Sequence, residues 1–153
     1  MNTGNLNNYL EVAREAALRA GVVLKKRFRK LCPSMIDEKA KNDFVTEADK
    51  KSEEIIKGHI RSQFNNHDIL AEESLAVRNN SPFLWIIDPL DGTLNYIHGL
   101  PCFAVSIALE IEGELAVGLI YEPLRENIYS AIKGQGAFKN GKRIHVSHSN
   151  TLN

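Results

Sequence analysis

The sequence predicts an α+β fold, and three observations carry that expectation. A helical apolar period runs through residues 6–28 and returns from residue 48. From residue 83 the pattern shortens to strand-like runs. Turn pairs, Glu112-Gly113 and the stronger Asn140-Gly141, separate those runs at hairpin spacing. Two helices followed by a mainly antiparallel sheet define the α+β layout.

In the first segment Leu6, Tyr9, Leu10, Ala13, Ala16, Ala17, Ala20, Leu24 and Phe28 share one face, with Glu11, Arg14, Glu15 and Arg19 between them. A long amphipathic helix follows. It closes in KKRFRK, residues 25–30, which reads either as a basic patch or as a solvated last turn whose cations suit the negative end of the helix dipole. The last-turn reading is preferred. Pro33 stops the helix, and residues 32–44 read as a polar loop. A second helix begins at TEAD, where Thr46 caps the end and Asp49, three residues on, completes a capping box. Its expected apolar face is Ala48, Ile55, Ile56, Ile60 and Phe64.

After the polar NNHD, the run Ile69 to Ala71 is of strand length and ends in EES. FLWIID, CFAVSIALEI, ELAVGLIYEP, ENIYSAI and RIHVS supply further strands. KGQGAF is a hairpin turn in this reading, since a lone GxG without a following helix is a weak phosphate loop.

The 153 residues, 43% hydrophobic and 25% charged, suffice for a core of their own. Nineteen basic and nineteen acidic side chains cancel, so no overall field draws the chain to nucleic acid or an anionic membrane. Any anionic ligand must be held locally. Cys32 and Cys102 fit neither a disulfide framework nor a zinc motif. The amino terminus lacks a signal-peptide pattern, and no apolar run reaches the roughly 20 residues of a membrane span, so a cytoplasmic location is expected.

The chemistry gathers around WIIDPLDGTLNY, residues 85–96. Pro89 cannot donate to a sheet ladder, so a strand over residues 84–87 is expected to end at Asp88. Gly92 permits the sharp path that follows. Asp88 and Asp91 would then share one side of a turn, and a helix starting near Thr93 would offer the amides of Gly92 and Thr93 to an anion. Glu72 and Glu73 follow another short strand, and Asp49 lies in the first turn of a helix. Singly, Asp49 reads as a cap and the two glutamates as solvated charges. Together, such carboxylates repel and raise one another's pKa unless a cation joins them. Mg²⁺, a hard ion that favours oxygen ligands, would make the cluster favourable, and two-ion sites of this kind serve phosphate-ester hydrolysis.

These motifs resemble the inositol monophosphatase family, Mg²⁺-dependent and lithium-inhibited phosphatases. WIIDPLDGTLNY is similar to the family's central metal motif, AEES to its glutamate motif and NDFVTEAD to the segment with its catalytic aspartate. GLPCFAVSIAL and KGQGAFKNGKRIHVS extend the likeness along nearly the whole chain. The resemblance implies a layered α/β/α sugar-phosphatase-like fold. It also implies that Glu72, Asp88 and the carbonyl of Leu90 hold one Mg²⁺, that Asp88 bridges to a second, and that Asp91 binds that second ion. The Gly92 and Thr93 amides would hold phosphate. Thr93 and Asp49 would orient and deprotonate the attacking water, with Glu72 also counted among the catalytic residues and Glu73 a supporting neighbour that assists through a metal-bound water. The reaction implied is in-line attack by water, without a phosphoenzyme, on a small monoester, inositol monophosphate first.

Members of that family continue into a C-terminal half with a WDxAA-like aspartate and most contacts to the substrate's hydroxyls. This sequence resembles their N-terminal portion, residues 1–153, and a homodimer is expected at full length. Fructose bisphosphatases and phosphoadenosine nucleotide phosphatases share the metal motif and are alternatives. So is a regulatory module that binds without turnover. LDGTL also invites comparison with haloacid dehalogenases, but Pro89 stands where their nucleophilic aspartate would be. His98 and His145 lack partners at metal spacing and receive no role.

Overall fold

Small side chains set the distance between the layers. In the computed structural model, which describes residues 3–40, 43–77, 79–147 and 149, helix α1 spans Thr3–Arg27. Its Ala13, Ala16, Ala17 and Ala20 are fully buried. Over this alanine-rich middle of its buried face, α1 lies against α2 (Glu47–Gln63) and the sheet. At Gly21 there is no room for a side chain: a Cβ would stand 2.4 Å from Cε1 of Tyr121.

The main sheet has eight strands. In chain order they are β3 (Asp68–Ala71), β4 (Ser74–Val77), β5 (Phe83–Asp91), β6 (Ala104–Ile111), β7 (Glu114–Glu122), β8 (Asn127–Ile132), β9 (Gly136–Lys139) and β10 (Lys142–Ile144). Their order across the sheet is β10-β9-β8-β7-β6-β5-β3-β4. Only the β3–β5 pair is parallel, so the mainly antiparallel α+β expectation holds. Glu112-Gly113 and Asn140-Gly141 turn the hairpins with both residues at positive φ, 53° and 83° in the first and 49° and 76° in the second.

Register separates the two faces of the sheet. Trp85 pairs with Leu109 and Ile87 with Ile107, and all four are buried beneath the helices. Ile86 and Asp88 alternate onto the other face opposite Ala108 and Ser106. An aromatic group closes the core's edge. His67 stacks on Phe64 and Phe83 at 4.6 and 4.3 Å between ring centroids, and its Nδ1 accepts from Trp85 Nε1 at 3.1 Å.

Three expectations need correction. Residues 32–44 are not simply a polar loop: a short 3-10 turn at Pro33–Met35 leads into a separate hairpin, β1 (Ile36–Ala40) with β2 (Asp43–Thr46). Strands of five and four residues carry little periodic signal. β5 also runs through Pro89 to Asp91, because the ladder jumps from Asp88–Ser106 to Asp91–Ala104 and asks no amide of the proline. In α2, Ser52 and Glu53 are buried while Ile55 is only half-buried. No helix of the described residues is long and apolar enough to cross a membrane. Cys32 and Cys102 are free thiols.

Candidate active site

The capping box at the start of α2 does more than end a helix. Thr46 is its N-cap, accepting from the amides of Ala48 and Asp49, while Asp49 Oδ2 accepts from both the amide and the hydroxyl of Thr46. That leaves Oδ1, which accepts from the Thr93 hydroxyl at 3.0 Å, across 44 positions of sequence. Asp49 is 1% exposed. Burial pushes its carboxyl above the usual range, while the bonds from Thr46 and Thr93 pull the other way.

Thr93 opens the five-residue helix α3 (Thr93–Ile97), and Gly92 is its N-cap at φ 92°. A Cβ at Gly92 would sit 2.9 Å from the carbonyl of Cys102, so both the conformation and the space require glycine. Tyr96 anchors α3 from behind by donating to the carbonyl of Leu24 at 2.8 Å. The Thr93 hydroxyl also lies 3.0 Å from the Leu90 carbonyl. With one hydrogen to give, it serves either Leu90 or Asp49 at a time.

The bulge in β5 shapes the central turn. Asp88 Oδ1 accepts from the amide of Leu90 at 3.1 Å, and the Glu72 amide donates to the carbonyl of Ile87 at 3.2 Å. The β3–β4 turn is thereby tied beside Asp88, near enough for the Glu72 side chain to bear on the Asp88 carboxyl. Burial raises the pKa of Asp88; the bonds from Glu72 and Leu90 oppose the rise, and the charges of Asp91 and Asp49 add to it. Asp91 is exposed at the strand's end, and Glu73 is half-buried.

The structure thus brings Asp49, Glu72, Asp88, Leu90 and Thr93 into one bonded constellation, with Asp91 near enough to act on Asp88 and Gly92 shaping the corner. Among the described residues no three acidic, histidine or cysteine side chains close into a ready-made cage. The donor set nonetheless fits a hard divalent cation in its chemistry: every available ligand is oxygen, and Asp88 carries a repulsion that a cation would relieve. A groove of about 590 Å³ between α1 and β8–β9 is lined by Leu10, Ile128, Ile132 and Phe138 and includes none of these residues. The sequence reading missed Ser52 and Glu53, both buried behind the site. Their signal was spacing, three and four residues after Asp49 on one helical face.

Comparison with known proteins gives the family. The profile of the inositol monophosphatase family matches residues 5–153. The "Fructose-1,6-bisphosphatase/inositol-1-monophosphatase" of Aquifex aeolicus is 48% identical over 97% of this chain and 56% of its own length. The "Nus factor SuhB" of Pasteurella multocida is 40% identical over 96% and 55%. The solved Thermotoga maritima IMPase superposes with a TM-score of 0.88 at 34% identity, over 95% of this chain and 56% of that one. The chain spans little more than half the length of these relatives. With the fold, the order of the acidic motifs and a family match over residues 5–153 in agreement, the chain belongs to the inositol monophosphatase family.

Proposed function

We propose that residues 1–153 are the metal- and phosphate-binding N-terminal portion of a Mg²⁺-dependent phosphatase acting on a small phosphate monoester, inositol monophosphate first. The observation that carries this reading is the Thr93–Asp49 hydrogen bond beside the Asp88–Glu72 pair. Capping alone explains Asp49 Oδ2, but not a second hydroxyl brought to Oδ1 from a distant turn.

In this reading Glu72, Asp88 and the Leu90 carbonyl would hold one ion, and Asp88 with Asp91 would hold a second. Bound Mg²⁺ would supply Lewis-acid neutralisation of the phosphate oxygens. The chain's own groups do the rest. The amides of Gly92 and Thr93, at the bend into α3, hold the phosphate. Asp49 is too deeply buried to meet solvent, so Thr93 relays: its oxygen accepts a proton from the attacking water as its own hydrogen passes to Asp49 Oδ1. A carboxyl raised by burial suits that acceptor. Thr46, fixing Oδ2, keeps Oδ1 aimed at Thr93. Water attacks phosphorus in line, the ester oxygen leaves, and no enzyme side chain becomes phosphorylated. Glu73 supports the turn that carries Glu72. We further infer a cytoplasmic protein that pairs as a homodimer when full length.

The test is phosphate release from inositol monophosphate by this chain, with and without Mg²⁺, beside Asp88→Asn. Mg²⁺-dependent release that the variant loses is expected. Release that ignores either Mg²⁺ or the variant would contradict the reading. Because the Aquifex relative's name joins two activities, fructose 1,6-bisphosphate belongs in the same assay, and a clear preference for it would shift the substrate assignment. Mg²⁺ binding without release would confine the chain to the binding role.

A further inference from the structure

We propose that Ser52 and Glu53 are positioning residues, through which α2 holds the two acidic turns in fixed relation to each other and to Asp49. The inference rests on the metal reading above. Asp49, Ser52 and Glu53 occupy positions i, i+3 and i+4 of one helix and so project from one face. Each makes a contact to a different part of the site. Asp49 takes Thr93. Ser52, fully buried, donates its hydroxyl to the carbonyl of Pro89 at 2.9 Å, between Asp88 and Leu90. Glu53, 5% exposed, accepts from the amide of Glu73 at 3.0 Å through Oε2, at the residue beside Glu72.

The remaining oxygen of Glu53 shows how the turn is held at two points. Oε1 accepts from Lys57 Nζ at 3.2 Å, and the same ammonium donates to Ser74 Oγ at 2.8 Å. Glu53 and Lys57 therefore grip Glu73 and Ser74 together. A buried carboxylate is costly to keep in a fold unless it is both paired and hydrogen-bonded. Glu53 is both, and its partners lie on the turn that presents Glu72. An apolar side chain here would fill the space but could not fix the turn's direction.

Neither residue touches the reacting atoms, so each acts through the carboxylates it orients. Outer partners of this kind typically change metal affinity by about 10–100-fold when removed. The experiment is calorimetric titration of the full chain with Mg²⁺ alone, for the wild type, Glu53→Ala, Glu53→Gln and Ser52→Ala, with far-UV circular dichroism of each. Glu53→Ala is expected to bind Mg²⁺ about tenfold more weakly or worse. Glu53→Gln keeps an oxygen for the Glu73 amide and is expected to recover most of that loss, which a general loss of packing would not allow. Ser52→Ala introduces no unpaired charge. It keeps the test open if Glu53→Ala does not fold, and it too should weaken Mg²⁺. Wild-type affinity in folded Glu53→Ala and Ser52→Ala would overturn the positioning role and leave the metal reading standing. A wild-type chain that binds no Mg²⁺ would overturn the metal reading and the role built on it.

Discussion

At the scale of single residues, Thr93 is where the proposed chemistry is most exposed to test. Thr93→Ala leaves the carboxylates in place but removes the hydroxyl that donates to Asp49 Oδ1. It is expected to lower kcat by about 100-fold or more while Mg²⁺ affinity changes little, with Thr93→Ser restoring most of the rate. Steady-state kinetics beside calorimetry separates the two effects. Gly92→Ala should fail differently, through positive φ and contact with the Cys102 carbonyl, by displacing the whole corner. Residue identities in this site were legible in the sequence because acids, proline and glycine are unusual at the exit of a buried strand. What was not legible is which oxygen of Asp49 is engaged, since that depends on α3 and α2 meeting across the fold. Ser52 and Glu53 escaped for a related reason: a polar residue on a helix reads as solvated until its partners are known.

At the scale of elements, the contact between α1 and α2 contains a pH-sensitive pair. His59 Nε2 lies 3.3 Å from Glu15 Oε2, yet among the described residues it meets no hydrogen-bond partner. Burial lowers its pKa, the charge of Arg19 adds to the fall, and Glu15 opposes it. His67, which accepts from Trp85, is lowered by burial as well. In both cases the unfolded chain binds the proton more readily, so their contribution is present above the unfolded histidine pKa and is lost as pH falls through the folded value. Thermal unfolding is expected to show Tm falling between about pH 7.5 and pH 5.5, and His59→Leu should flatten part of that slope. A slope unchanged in the variant would remove His59 from the account. Gly21→Ala should cost about 1–3 kcal/mol in urea unfolding, because a methyl there meets the Tyr121 ring. The helices and long strands were readable from period alone. The β1–β2 hairpin and the passage of β5 through Pro89 were not, because one has strands too short to show a clear alternation and the other depends on a register jump in its neighbour.

At the scale of the whole molecule, the proposal implies a balance between folding and metal binding. Asp88 has its pKa raised mainly by burial, with Asp91 and Asp49 adding to the rise. A raised carboxyl contributes stability at low pH and loses it as pH rises, so at neutral pH the charged group weighs against the fold unless a cation accompanies it. Asp88→Asn should therefore have the higher Tm without Mg²⁺, and the wild type should gain the more when Mg²⁺ is added. The sequence pattern signals an acidic cluster and its repulsion; the assembled sheet, helix and turn add that burial is the larger cause of the rise at Asp88.

The most direct measurement is the calorimetric titration of the wild-type chain and Asp88→Asn with Mg²⁺. Saturable binding by the wild type, weakened about tenfold or more in the variant, is the predicted result. Equal binding by both, or none by either, would contradict the claim that this constellation is a metal site.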